Sequence, residues 1–260
     1  MNKIHHYFKN VFSFKLSTPT AVILGAVVIS IGIVTNGYVT QTIANKNQPQ
    51  APNGQPAPSV AKGSIFKGKS IDSNDYIEGS ADNKIVVIEY SDTECPFCIM
   101  LSPTMEQLRA EYKDKITFVY RHFPLTTIHK NAMDESKAIT CAGKLGGSGK
   151  YYEYVDTLFK RKVSLQSQTN PSPAMTASDR TNIASSIGLN IANFNSCMSD
   201  KNTEEIVTAE MKDGTIAGVK GTPATFILKK TRKGYEVSSM VDGARDKAFF
   251  NAAIDEALNK

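Results

Sequence analysis

The order of the predicted elements indicates an α/β fold: a strand–helix–strand unit, a block of helices, and then a strand–strand–helix unit. Three observations predict this class. Residues 84–90, KIVVIEY, are a near-continuous β-branched run, as expected of a strand that is buried on both faces. A helical pattern follows it, and residues 115–123, KITFVYRHF, are typical of a second strand. A helix that joins two strands predicts a parallel pair with a right-handed crossover.

The first helix is predicted over residues 95–112, because apolar residues recur there on one helical face. This face consists of Leu101, Met105, Leu108 and Tyr112. Pro103 lies inside the pattern, and an internal proline removes a backbone donor. We therefore expect a kink at Pro103.

Residues 129–213 are predicted to be mostly helical. One helix covers residues 151–163, YYEYVDTLFKRKV, and another begins near Ser178, a suitable N-cap residue, after a loop over residues 170–178.

The last unit begins with a β-hairpin. Its strands are predicted over residues 224–230 and 235–241, with a turn between them at residues 231–234, TRKG. A final helix is expected over residues 245–259, so the chain ends as strand, strand and helix.

An apolar segment precedes this domain. Residues 20–39 carry no charge, and twenty helical residues span roughly 30 Å, the thickness of a bilayer core. Three lysines lie within residues 1–19, and the first charge after the segment is Lys46. The positive-inside rule therefore predicts a transmembrane anchor with residues 1–19 in the cytoplasm. A cleaved signal peptide is the alternative, and both interpretations export the rest of the chain.

Residues 40–69 are predicted to be a linker rich in Pro, Asn and Gln, because the stretch at residues 45–63 has only small apolar side chains and cannot bury a core. Residues 1–60 contain four lysines and no acidic residue, whereas the whole chain has a formal charge of +5. The folded part is therefore nearly neutral, and it lacks the basic footprint of a nucleic-acid-binding protein.

Cys95 and Cys98 form a C-x-x-C motif at the start of the first predicted helix. Unpaired N–H groups and the helix dipole favour an anion there, which lowers the pKa of the first thiol. Pro96 suits a first helical turn. We therefore assign Cys95 as the attacking thiol and Cys98 as the resolving thiol. The alternatives are a metal site, for which further ligands at suitable spacing are missing, and a local structural disulfide.

Several motifs occur together: VVIEYSDTECPFC, SPTMEQL, YRHFPL, HKNAMDESKAITCAG and GVKGTPATFIL. In this order they resemble the DsbA-like thiol–disulfide oxidoreductases of the thioredoxin superfamily, from about residue 70 to the C-terminus. The resemblance implies a thioredoxin-like fold over residues 70–260, with a helical insertion at about residues 129–213. Pro103 matches the kink proline of the family's active-site helix.

The resemblance also implies site residues. Pro223 matches a cis-proline that faces the sulfurs, and Thr222 before it offers backbone to an extended substrate. Pro96 and Phe97 are further candidates for substrate contact. Glu89 matches a buried acidic residue that relays protons for the deeper cysteine. The alternatives are that Pro223 is an ordinary trans proline and that Glu89 points to solvent from an edge strand.

The sequence departs from the best-known oxidases of this family at two positions beside the sulfurs. Phe97 stands where they carry histidine, and Thr222 stands where the strongest oxidases have an apolar residue. The chain also has no Trp, although many relatives have an aromatic FW pair in the stretch equivalent to residues 150–152. These differences leave the direction of electron flow open between oxidase, the favoured role, and reductase or isomerase.

Cys141 and Cys197 lie in separate parts of the helical block. Leftover cysteines of exported proteins usually pair, so we predict a structural disulfide between them, with two free thiols as the alternative. His122 and His129 are interpreted as packing or surface residues.

The expected protein is an enzyme of the outer side of the cytoplasmic membrane that needs no cofactor or metal. Its expected partners are exported proteins, unfolded or containing thiols, and a membrane redox protein that recycles it. The alternatives are a reductase or isomerase of exported proteins or of cytochrome maturation, and a peptide-binding or chaperone module without turnover.

Overall fold

The computed structural model describes residues 60–166 and 175–259. Five strands form one sheet: β1 (Ile77–Glu78), β2 (Ile85–Ser91), β3 (Ile116–His122), β4 (Ala224–Thr231) and β5 (Gly234–Asp242). Their order in the sheet is β1–β3–β2–β4–β5. The central strand β2 pairs in parallel with β3 and antiparallel with β4. The parallel β2–β3 pair predicted from the crossover is thus confirmed, whereas the short edge strand β1 was not expected.

Helices cover the sheet and form the insertion: α1 (Pro96–Tyr112), α2 (Ala132–Gln166), α3 (Ala177–Ser186), α4 (Ile191–Ser199), α5 (Lys201–Ala217) and α6 (Lys247–Leu258). Helix α1 continues through Pro103. The long helix α2 is interrupted at Gly147, whose φ of 71° lies in the region that glycine tolerates best.

Two predicted boundaries were wrong. The N-cap of α3 is Thr176 rather than Ser178. The Thr176 hydroxyl accepts the N–H of Asp179 at 3.1 Å, and the Asp179 carboxylate accepts the N–H of Thr176 at 3.0 Å. This reciprocal capping box starts the helix earlier than a lone serine cap would. The helical block also extends beyond residue 213, because α5 continues to Ala217.

The strand β2 is buried on both faces, as its sequence predicts. On one face Ile85 and Val87 pack in a core with side chains of α1 and α6. On the other face Val86 and Ile88 pack with Phe226 of β4 and residues at the end of α5. Residues of β2 that point to the first face therefore lie beneath α1, the helix that begins with the C-x-x-C motif.

Helices α2, α3 and α4 bury a third apolar core that also includes Tyr120 of the sheet and both cysteines of the motif. In the described ranges no helix combines the length and apolar character needed to span a membrane. The predicted anchor at residues 20–39 and residues 40–59 of the predicted linker lie outside the described residues. The linker prediction is wrong for its last part, because Phe66 is buried in the sheet core and its N–H donates to the Tyr235 carbonyl of β5 at 2.8 Å.

Candidate active site

The C-x-x-C motif occupies the first turn of α1. Cys95 is the N-cap residue, with an extended backbone at φ −69° and ψ 122°, and Pro96 is the first helical residue. The Cys95 carbonyl accepts the N–H of Ile99 at 3.0 Å, which begins the helical ladder. Both thiols are free in the structure. The Cys95 sulfur therefore lies at the helix N-terminus, where unpaired N–H groups favour negative charge.

A loop from far along the chain lies against Cys95. The Thr222–Pro223 peptide bond is cis, and the Cys95 thiol donates to the Thr222 carbonyl at 3.3 Å. The Pro223 carbonyl accepts the N–H of Gly243 at 2.8 Å, which ties the loop to the end of β5. The predicted cis-proline loop and the first cysteine are therefore brought together.

The surroundings of Cys95 lower its pKa to about 6. The main cause is a hydrogen bond from the Cys98 thiol, and the Thr222 hydroxyl and the backbone N–H groups of Cys98 and Phe97 act in the same direction. Burial opposes this shift because it disfavours the charged sulfur. A thiol with this pKa is largely thiolate at pH 7, the form that attacks disulfides.

The pKa of Cys98 shifts in the opposite direction. Its side chain is fully buried, and burial raises the pKa of the Cys98 thiol well above the usual value. Its hydrogen bond to Cys95 acts in the same direction, whereas the N–H of Asp92, 3.4 Å from the sulfur, partly offsets the shift. The two cysteines are thus a nucleophile at low pKa, which is itself only 5% exposed, and a fully buried thiol at high pKa.

Glu89 lies under this helix. It is buried on β2 and has Tyr120 of β3 and Thr225 of β4 as its register partners on the same face. Burial raises the pKa of Glu89 to about 7, against the opposing effects of the Ser91 hydroxyl and the Arg109 guanidinium. The negative charge of Glu89 in turn raises the pKa of Cys98. A carboxyl that titrates near neutrality beside the buried thiol has the properties that a proton carrier requires.

Two residues beside the sulfurs are open to solvent. Pro96 is exposed, and the Phe97 side chain is 40% exposed although it is aromatic. Together with Thr222 they form the surface around Cys95 that a substrate could contact. The three predicted substrate-contact residues, Pro96, Phe97 and Thr222, therefore all lie near Cys95.

The second cysteine pair belongs to the insertion. Cys141 of α2 and Cys197 of α4 form a disulfide, with an S–S distance of 2.07 Å and a Cα–Cα distance of 5.8 Å. Across the described ranges, no three side chains of His, Cys, Asp or Glu come together as a possible metal site.

Sequence reasoning missed Asp92, whose backbone hydrogen-bonds to both active-site cysteines. It also missed Tyr120, which lies between Glu89 and the insertion core. Asp92 could have been suspected from its position three residues before Cys95. Tyr120 carried no signal beyond its place in a strand.

Relatives with curated names share this domain. A protein of Rickettsia bellii (strain RML369-C) named "Putative protein-disulfide oxidoreductase" is 29% identical over 194 residues, which are 73% of this chain and 68% of that protein. The Na(+)/H(+) antiporter NhaA 1 of Mycobacterium sp. (strain KMS) is 28% identical over 170 residues, 64% of this chain and 26% of the antiporter. The chain thus spans about a quarter of the length of such antiporters.

Solved structures share the fold. The crystal structure of the thiol-disulfide exchange protein alpha-DsbA2 from Wolbachia pipientis matches with a TM-score of 0.58 at 18% identity, over 71% of this chain and 88% of that chain. The thioredoxin-like α/β fold with a helical insertion, expected from the motifs, is confirmed. The family model Thioredoxin_4, described as Thioredoxin, matches residues 72–256. Because this match covers well over half of the 260 residues, the chain belongs to that thioredoxin family.

Proposed function

We propose that this chain is a protein thiol–disulfide oxidoreductase that works outside the cytoplasmic membrane and oxidises cysteines of exported proteins. The observation that carries the proposal is the unequal pair of sulfurs: Cys95 has a lowered pKa beside a cis-proline loop, and Cys98 is buried with a raised pKa. The name of the Rickettsia relative supports the same activity.

The proposed reaction starts from a Cys95–Cys98 disulfide. A substrate thiolate attacks the Cys95 sulfur, the enzyme S–S bond breaks, and Cys98 leaves as a thiolate that takes up a proton. A second substrate thiolate then attacks the substrate sulfur of the mixed disulfide and releases Cys95. The substrate is oxidised by two electrons, and the enzyme is left as the dithiol. Glu89 is the proposed carrier of the proton that Cys98 gains or loses.

The outward location rests on two features. The uncharged segment at residues 20–39 follows three lysines, the pattern of an anchor whose N-terminus stays in the cytoplasm. The Cys141–Cys197 disulfide supports an oxidising compartment, because structural disulfides are rare in the cytosol. A membrane redox partner would then restore the Cys95–Cys98 disulfide after each turnover.

The oxidising direction is supported by the lowered pKa of Cys95, because a stabilised thiolate favours the reduced enzyme and so drives oxidation of the substrate. A reductase or isomerase is the second candidate. Phe97 favours it, since an aromatic ring cannot donate a hydrogen bond to the Cys95 thiolate as histidine would.

Two measurements test the function and its direction. Cys95→Ala should reduce turnover with a reduced, unfolded substrate to the uncatalysed rate, and full activity in that variant would refute the proposal. Titration of the Cys95–Cys98 couple against glutathione gives the direction. A reduction potential of about −120 mV supports an oxidase, and one of about −270 mV supports a reductase.

A third measurement excludes a peptide-binding module without turnover. The alkylation rate of Cys95 should rise with pH around a midpoint of about 6, the pKa that its surroundings give it. A Cys95 thiol that stays inert at neutral pH would instead favour the binding module. For the location, protease added to cells whose outer envelope has been removed but whose cytoplasmic membrane is intact should digest residues 60–260. Digestion only after that membrane is lysed would contradict the outward placement.

A further inference from the structure

The carboxylate of Asp92 anchors the loop between β2 and α1. Its side chain is fully buried and accepts three hydrogen bonds. Oδ1 accepts the N–H of Glu94 at 2.7 Å, and Oδ2 accepts the N–H of Leu125 at 2.7 Å. The third donor is the His129 ring, whose Nδ1 lies 2.8 Å from Oδ2. A carboxylate that is surrounded by donors in this way is fixed in one orientation.

The backbone of the same residue contacts both active-site cysteines. The Asp92 carbonyl accepts the N–H of Cys95 at 3.1 Å, and the Asp92 N–H points at the Cys98 sulfur from 3.4 Å. Cys98 is fully buried, so water cannot replace this donor easily. Because the side chain and the N–H belong to one residue, hydrogen bonds that fix the Asp92 carboxylate also restrain the backbone donor at Cys98.

The segment after β3 holds this loop at a second point. The backbone N–H of Asn131 donates to Glu94 Oε2 at 2.7 Å, and its side-chain amide donates to Oε1 at 3.2 Å. His129 lies in the chain between Leu125, which donates to Asp92, and Asn131, which donates to Glu94. The His129 side chain is 18% exposed. The segment thus lies against the active-site loop, and His129 is its one side chain on the Asp92 carboxylate among the described residues.

We infer that Asp92 and His129 form a positioning pair that holds the Asp92 N–H on the Cys98 sulfur and speeds each step in which Cys98 carries negative charge. In resolution, the Cys98 thiol loses its proton and its thiolate attacks the Cys95 sulfur of a mixed disulfide. The Cys95–Cys98 bond forms, and the partner sulfur leaves as a thiolate with the electron pair of the broken bond. In the reverse direction Cys98 is the leaving thiolate, so the same donor assists both directions.

This inference rests on the proposed exchange activity, and one experiment separates the two. The reduced chain is mixed with excess 5,5′-dithiobis(2-nitrobenzoate). Attack by Cys95 releases one thionitrobenzoate and leaves a mixed disulfide, and attack by Cys98 on that disulfide releases a second. The first phase reports the nucleophile, and the second phase reports Cys98.

Asp92→Asn replaces one carboxylate oxygen by an NH₂ group, which cannot accept the hydrogen bond from the backbone N–H of Glu94 or Leu125 that it then faces. The second phase should slow about tenfold, the size expected when a hydrogen bond to a charged atom is impaired. The first phase should stay within about twofold of wild type, because the Cys95 sulfur contacts Thr222 and Cys98 rather than Asp92. His129→Leu removes the ring donor and should slow the same phase. His129→Asn keeps a donor at the δ position and should restore the wild-type rate.

Asp179→Asn is the matched control, because Asp179 also fixes a loop through its carboxylate but caps α3 in the insertion. It should lower stability without changing the second phase. If Asp92→Asn does not fold, the His129 pair gives the same comparison. Wild-type second phases in both Asp92→Asn and His129→Leu would overturn the inference, as would equal slowing of both phases. A wild-type chain that releases only one thionitrobenzoate would instead contradict the proposed function.

Discussion

Cys95 and Cys98 stand three residues apart at the start of α1 with free thiols, whereas Cys141 and Cys197 stand 56 residues apart and join α2 to α4 as a disulfide. The first pair meets a helix N-terminus, a cis-proline loop and a buried carboxyl, all of which act on the charge of a sulfur. Both pairs border the apolar core of the insertion, but the second pair is closed there by its own S–S bond. Surroundings therefore assign exchange to one pair and stabilisation to the other.

The largest effect is expected when the buried thiol of the first pair is removed. Cys98→Ala leaves Cys95 able to attack but removes the thiol that resolves the adduct, so a mixed disulfide should accumulate and turnover should fall to background. Mass spectrometry of the chain after incubation with a disulfide-containing peptide detects this adduct. Cys95→Ala is the control and should form none. An adduct on Cys98 in that control would reverse the assigned roles.

Removing the second pair should have the opposite outcome. Cys141→Ala with Cys197→Ala should lower the free energy of unfolding by about 2–5 kcal/mol, the usual loss for a native disulfide, and leave the exchange rate within about twofold. Urea denaturation gives the free energy, and thiol release gives the rate. A collapse of exchange in a variant that remains folded would mean that the two pairs act together.

The carboxyl beneath the first pair should show a pH-dependent cost to stability. The pKa of Glu89 rises from 4.5 to about 7 on folding, so the folded chain binds the proton more tightly. Stability is therefore lost as pH rises between these values, on the order of 3 kcal/mol in total. Glu89→Gln should be more stable than wild type at pH 8 by about this amount, with no difference below pH 4.5, and should slow exchange.

Glu135 provides the contrast for that experiment. It is also buried, with 0% of its surface exposed against 6% for Glu89, but it pairs with Lys162 at 2.8 Å in the insertion. Glu135→Gln leaves the Lys162 charge uncompensated and should destabilise the chain at pH 8 by about 3–5 kcal/mol. Thermal unfolding of both variants across pH 4–8 gives the comparison. A Glu89→Gln variant that is less stable at pH 8 would contradict the raised pKa.

The smallest expected effect concerns the residue between the cysteines. Phe97→His offers the Cys95 thiolate a donor and should raise the reduction potential by up to about 30 mV, equivalent to ~1.4 kcal/mol. The exposure of this position limits the gain. Phe97→Leu, which keeps an apolar side chain, should leave the potential unchanged. Equilibration with glutathione measures both, and a shift equal in the two variants would assign the effect to packing.

Local patterns predicted much of the fold. The alternation of strand and helix around the C-x-x-C motif, the hairpin and the last helix all follow from side-chain periodicity within a few residues. The start of α3 was missed because a capping box needs two residues to bond each other, and Ser178 matched the simpler one-residue pattern. The edge strand β1 was missed because two residues are too short for any periodicity.

The sequence by itself singled out the residues that we propose carry the chemistry: Cys95 at a helix start, and a proline loop before a late strand. Only the tertiary structure decided how they meet. The Cys95–Thr222 contact joins residues 127 positions apart, and the Cys98 sulfur faces the N–H of Asp92, whose carboxylate contacts the His129 ring. Periodicity is set by neighbours within a turn or two, whereas burial, charge and hydrogen-bond partners are set by segments that become neighbours only when the chain packs.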